Sequence, residues 1–318
     1  MKGHYILVAL VMLSVNFFLP RLMPGDPFLY LSVEDGNVST VFSKEQVDHY
    51  KAYYGLDKPL HVQFLNYLVG LSQGDLGYSI YYNTGVTEMI FSRLPWTLFF
   101  VVSSLLLSSV IGAVLGAISA WLWGKTSDRV MYFSMIVISE IPAFLLGVLF
   151  LFVFAAQMRW FPLSGGISVF ASFDSPLAKI GDILHHAFLP ILTLTLSRVG
   201  GFFLLSRSSM LMVLSKDYIR TAKAKGLGKK SVIFRHALKN ALPPIVARVF
   251  MSLGTSFGGA VLVENVFAYP GVGRLMREAV GNRDYVLIQG IFLTITMMVL
   301  LMNWVAELIY KKLDPRVA

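Results

Sequence analysis

Six stretches of this chain approach or exceed the roughly 20 apolar residues needed to cross a bilayer. Nothing else in the sequence limits the possible folds so tightly. Hydrocarbon offers the backbone no hydrogen-bond partners, so runs of this kind are expected as helices. They fall at about 5–23, 94–123, 130–157, 187–214, 244–267 and 286–310. With 56% apolar and 14% charged residues over 318 positions, the chain reads as an all-α membrane protein of six transmembrane helices.

The net charge of +9 would suit a nucleic-acid binder if the cations formed one soluble patch. They sit instead in short segments beside apolar runs, the positive-inside pattern. The sequence has no cysteine, which removes disulfide scaffolds, thiolate metal sites and cysteine nucleophiles. Lys2 followed by apolar residues 5–19 looks like a signal peptide, but Pro20-Arg21-Leu22-Met23-Pro24 is no small-residue cleavage site. We therefore expect residues 1–23 as an uncleaved first helix. Residues 24–93 carry eight acids against four Lys or Arg, an acidity that suits an extracytoplasmic subdomain. Residues 94–318 are expected as a five-helix core, interrupted by a cytoplasmic loop at 215–243. Both termini then lie on the cytoplasmic side.

That loop sits in a segment, 216–244, with eight Lys or Arg against the single acid Asp217. At about 100° per residue, Tyr218, Ile219, Ala222 and Gly226 share one arc. Lys216, Arg220 and Lys223 lie opposite. Gly226-Leu227-Gly228 is expected to end this helix, and a second one, about 229–240, to run into Pro243-Pro244. A basic amphipathic insert between two spans reads as a docking surface.

The same segment resembles the coupling loop of ATP-binding-cassette importer permeases. Its triplet is Arg220-Thr221-Ala222, its glycine Gly226, and its closing pair Leu242-Pro243. Tyr218-Ile219-Arg220-Thr221-Ala222-Lys223 is similar to the form found in the dipeptide, oligopeptide and nickel branch. Further stretches resemble that branch in its order: Pro24-Gly25-Asp26-Pro27, Tyr54-Gly55-Leu56-Asp57-Lys58-Pro59-Leu60 with Gln63, and Gly74-Asp75-Leu76-Gly77. Val263-Glu264-Asn265-Val266-Phe267-Ala268-Tyr269-Pro270-Gly271-Val272-Gly273-Arg274, Asn282-Arg283-Asp284-Tyr285 and Leu313-Asp314-Pro315-Arg316 complete the set. The resemblance implies a first-type permease subunit with the type I ABC importer fold, importing di- or oligopeptides or nickel chelates through a bacterial or archaeal inner membrane. It implies a second homologous permease, two cytoplasmic ATPases that bind ATP and magnesium, and an external substrate-binding protein. The ATPase-coupling residues would be Tyr218, Ile219, Arg220, Thr221, Ala222, Lys223, Gly226 and Leu227. No cofactor is expected on this chain, which has no Gly-x-x-x-x-Gly-Lys-Ser/Thr phosphate loop.

Four ionisable groups interrupt apolar runs: Glu140, Arg198, Arg248 and Glu264. A charge at bilayer depth costs on the order of 3 kcal/mol or more and faces a partner or a wet cavity. All four are candidates for a translocation path. The alternatives are interhelical ion pairs, such as Glu140 with Arg198 or Arg248, and for Glu264 a structural role near an outer gate. Pro142, two residues after Glu140, frees backbone groups that also suit a path. Gly112 and Gly116, with Ser108 one turn earlier, form a small-residue stripe for close helix packing. Residues 269–274 open an outside loop, followed by a stretch with Leu275, Met276, Ala279 and Val280 on one side. It suits either a cap on the bundle or a contact for the binding protein.

No catalytic constellation is visible. His185-His186 is either a solvated anchor or a metal site. An ion-coupled secondary transporter would use the intramembrane charges for its driving ion, but the basic loop and the lack of an inverted repeat argue against it. A membrane enzyme lacks a nucleophile or ligand cluster. A helix-turn-helix DNA binder at 216–244 is blocked by the spans at both ends.

Overall fold

The structure is a computed structural model that describes residues 2–22 and 44–313, and the described chain is helical almost throughout. The helices are α1 (Lys2–Arg21), α2 (Lys44–Tyr53), α3 (Leu60–Ser72), α4 (Val86–Trp121), α5 (Thr126–Glu140), α6 (Ala143–Phe150, extended by a π-type stretch Leu151–Gln157), α7 (Pro176–Leu214), α8 (Asp217–Ala224), a second π-type stretch Ser231–Leu238, α9 (Lys239–Val266), α10 (Val272–Gly281) and α11 (Tyr285–Leu313). The motif at 24–27 and most of the tail motif, 314–316, lie outside the described residues.

Four of these helices are long and apolar enough to cross a membrane: α4, α7, the continuous run Ser231–Val266, and Tyr285–Leu308 of α11. The pair α5 and Ala143–Gln157, bent by 93° at its break, makes a fifth when it is counted as one broken span. The 20-residue α1 occupies the first expected span.

Three boundaries differ from expectation. The third span is broken at Ile141-Pro142 rather than straight. The proline ring disfavours the helical region for the residue before it, and Ile141 is extended at φ −75°, ψ 122°. The link between the third and fourth expected spans, 158–186, ends eleven residues early, because Ser175 caps α7: its Oγ accepts from Ala178 N at 3.2 Å, with Pro176 in the first turn. The helix expected to stop at Pro243-Pro244 continues through both. Ala241 and Ile245 on either side are buried, and packing of that kind sustains a helix across the lost donors.

Two compact units divide the chain, with boundaries inside α4, between α9 and α10, and inside α11. The first comprises residues 1–95 and 271–297. Its apolar cluster joins Val86 and Ile90 to Val272, Leu275, Ala279, Leu287, Ile288 and Ile291. Leu275 and Ala279 of the expected amphipathic face are thus buried, whereas Val280 is exposed. Several motif residues hold turns here. Gln63 Nε2 donates to Leu56 O and Lys58 O at 3.2 and 2.8 Å, while its Oε1 accepts from Arg21 Nε at 3.0 Å. Asp284, fully buried, accepts from Ser79 Oγ at 2.5 Å, Tyr81 N at 3.1 Å and Leu287 N at 3.0 Å.

The second unit comprises residues 96–270 and 298–318. Its axis is the close pairing of α4 with α7. A Cβ on Gly112 would stand 2.6 Å from Phe202 Cβ, and one on Gly116 2.5 Å from Phe203 O. The expected small-residue stripe is therefore where the two backbones meet. Ser206 Oγ donates across the same seam to Ala113 O at 2.8 Å. α5 meets α7 at Gly200, where a Cβ would fall 2.6 Å from Met135 O.

Candidate functional site

Within the second unit, α5, α7 and α9 border a cleft of about 350 Å³. α5 contributes Ser139 and Glu140 just before the break. α7 contributes Ser197, Arg198, Gly200 and Gly201, and α9 contributes Arg248, Ser252 and Thr255. The last three recur at helical spacing, so they form one polar stripe on an otherwise apolar helix. The paired glycines of α7 keep its wall low.

Three of the four intramembrane charges, Glu140, Arg198 and Arg248, therefore meet at one cleft, giving it two positive groups and one negative. Among the described residues, none of the three belongs to an ion pair. Arg198, half-buried, is pinned to α9 instead: Nη1 donates to Ser256 Oγ and Nη2 to Ser256 O at 3.1 Å. Glu140 and Arg248 are exposed. Uncompensated charges at this depth require water or a polar guest beside them.

Glu264 lies elsewhere. It is fully buried, and Thr97 Oγ1 donates to its Oε1 at 2.7 Å. Tyr269 folds back over it, its amide donating to Glu264 O at 2.8 Å. The Tyr269 ring packs edge-on to Trp96 at 5.7 Å and near Phe100 at 5.9 Å. Burial, with Glu264 nearby, pushes the Tyr269 hydroxyl above its ordinary range.

The basic segment forms α8 as the periodicity requires. Gly226 at φ +73° ends it, with Gly226 N donating to Lys223 O at 3.0 Å and Leu227 N to Ala222 O at 3.4 Å. This is the left-handed termination that favours glycine. The arc drawn from sequence divides, however. Ile219 and Ala222 are buried against Ala117, Ala120, Met210, Val232 and Ile233 of the same chain. Tyr218, Arg220, Thr221, Lys223, Gly226 and Leu227 are exposed, so the face open to a partner is mainly the polar one.

One group went unread in the sequence. Asp128, 3% exposed, accepts from Arg207 Nε and Nη2, both at 3.0 Å, from Ser119 Oγ at 2.6 Å and from Gly124 N at 3.2 Å. The Arg207 guanidinium also stacks near Trp123 and Tyr132, 4.7 and 5.0 Å from the ring centroids. The available signal was an arginine inside an apolar run with no acid nearby in sequence.

His185 Nε2 is 2.9 Å from Trp160 O and His186 Nδ1 is 2.9 Å from Asp182 O. Among the described residues, no group of three His, Cys, Asp or Glu side chains is placed to hold a metal ion.

A family profile described as binding-protein-dependent transport system inner membrane component matches residues 112–318. The oligopeptide transport system permease protein AppB of Bacillus subtilis is 33% identical, the match covering 98% of this chain and 95% of that one. The glutathione transport system permease protein GsiC of Salmonella choleraesuis is 32% identical over 97% and 94%. In inward-facing structures of the MetNI methionine ABC transporter, one chain is similar in fold, with TM-score 0.57 and 16% identity, covering 71% of this chain and 96% of that one.

Proposed function

The chain belongs to the family of binding-protein-dependent transport system inner membrane components, and on that premise we propose that it lines the import path of an ATP-driven transporter for short peptides. One observation carries the proposal: Glu140, Arg198 and Arg248 reach a single cleft from three helices, and among the described residues none of them has an acidic or basic partner. A zwitterionic peptide presents an ammonium to Glu140 and a carboxylate to the arginines, whose planar donors suit carboxylates. The names of the two relatives, oligopeptide and glutathione permeases, support peptides over nickel chelates. They also support a permease over an ion-coupled carrier.

The path is completed by a second, homologous permease. Two cytoplasmic ATPases, carrying ATP and magnesium, supply the energy, and an external binding protein delivers the cargo. α8 docks on an ATPase through Tyr218, Arg220, Thr221, Lys223 and Leu227. Gly226 ends the docking helix, and Ile219 and Ala222 seat it on the bundle. Both termini share the cytoplasmic side with α8, and the 24–93 segment faces outward. Glu264 holds the region around Tyr269 together and does not contact cargo.

The test is reconstitution of the purified complex in liposomes, with its binding protein and ATP enclosed on the ATPase side. Uptake of dialanine or glutathione that requires ATP and ignores a proton gradient is expected. Uptake driven by the gradient alone, transport by this chain in isolation, or uptake of a nickel chelate but no peptide would overturn the proposal.

A further inference from the structure

α8 rests on the ends of α4 and α7 through Ile219 and Ala222, which pack on Ala117, Ala120 and Met210, and Lys223 Nζ lies 5.0 Å from the Trp121 ring centroid. Those two helix ends are already locked by Gly112, Gly116 and Ser206, so they move together. α5 has no such seam at this end. It is held there by the Asp128 carboxylate, which gathers donors from Ser119 on α4, the Gly124 turn and Arg207 on α7. At its other end α5 touches α7 at Gly200 and delivers Glu140 to the cleft, immediately before the 93° bend. One helix therefore connects the floor under α8 with the wall of the cleft.

We propose that the Asp128–Arg207 clamp is the mechanical joint through which displacement of α8 is passed along α5 to the cleft. The proposal rests on the transport function argued above. Arg207 is suited to the part because its fork engages the carboxylate from two nitrogens while its face packs near Trp123 and Tyr132. A two-point contact resists rotation as well as separation. Asp128 and Arg207 do not line the cleft, so they are positioning residues, and loosening them should separate ATP hydrolysis from transport rather than weaken both.

Because the chain has no cysteine, the joint can be rebuilt covalently. Asp128→Cys/Arg207→Cys is introduced, the partner subunits' cysteines are removed, and the pair is bridged in the assembled complex with a cleavable bis-maleimide. Uptake of dialanine, or of glutathione if dialanine is not carried, is measured per ATP hydrolysed before and after the bridge is cut. The expected result is a ratio near that of the unmutated complex with the bridge intact, falling at least fivefold on cutting while hydrolysis continues. Asp128→Asn/Arg207→Gln, which leaves no lone charge, should show the same loss. An unchanged ratio after cutting, or hydrolysis and uptake falling in equal proportion, would overturn the joint. Absence of ATP-dependent uptake in the unmutated complex would instead refute the transport function, so the two failures are distinct.

Discussion

Neutralising Glu140 and Arg248 distinguishes a cargo path from a buried ion pair. Both side chains are exposed and line the cleft, and among the described residues neither belongs to an ion pair, so Glu140→Gln or Arg248→Gln breaks no ion pair there. Stability should therefore change by no more than about 0.5 kcal/mol, the usual range for such positions. Each side chain gives a passing peptide terminus a solvent-screened attraction of about 1 kcal/mol, the upper range for exposed pairs. That corresponds to roughly a fivefold drop in uptake at limiting cargo. The double variant should show the product of the two losses, because each charge meets a different end of the peptide. Uptake into liposomes and thermal unfolding of the assembled complex are measured together. A buried pair behaves in the opposite way: each single change strands a charge, at about 3–5 kcal/mol, and the double change restores stability. That pattern would refute the path.

Further expectations concern packing and the α8 segment. Gly116→Ala places its Cβ 2.5 Å from Phe203 O and 2.9 Å from Arg207 N; backbone cannot swing aside, so overpacking should cost about 1–3 kcal/mol in thermal unfolding, whereas Gly258→Ala, which meets nothing within 4 Å, should be near neutral. Gly226→Ala has room but not the backbone freedom; at φ +73° it should cost about 1 kcal/mol, read as faster hydrogen exchange in α8. Ala222→Asp places a carboxylate in an apolar seat, so the chain should fail to accumulate in the membrane. Arg220→Asp, at an exposed position, should accumulate normally while ATP-coupled uptake falls; normal uptake would move the docking face elsewhere.

Helices and their order were legible because lipid leaves the backbone a single economical solution, and apolar run length marks it. That some helix packs closely on Gly112 and Gly116 was legible for a related reason, since small residues four apart imply a close neighbour, but that the neighbour is α7 was not. The break at Ile141-Pro142 could be suspected from the proline but not its 93° angle, which depends on what the two halves pack against. The orientation of α8 was half legible. Periodicity identifies an apolar arc, but burial within the chain and burial against another chain produce the same pattern. Ile219 and Ala222 proved to serve the first. Asp128 stands in the short polar link between two apolar runs, and Arg207 is 79 residues away. No local rule connects them.

The bend after Glu140 also bears on how the chain enters the bilayer. α5 has 15 residues, and α6 with its extension has 8 and 7, so each limb is about 22 Å long at 1.5 Å per residue. The hydrocarbon layer is about 30 Å thick, and neither limb can cross it alone. During synthesis this bent pair is therefore expected to lack a settled position until α7 emerges and offers Gly200 and Arg207 as its supports. A nascent chain cut short after residue 157 should therefore be extractable from membranes and open to proteases, whereas one extended to 214 should be held fast. The break that brings Glu140 to the cleft should thus make membrane insertion of the third segment conditional on the fourth.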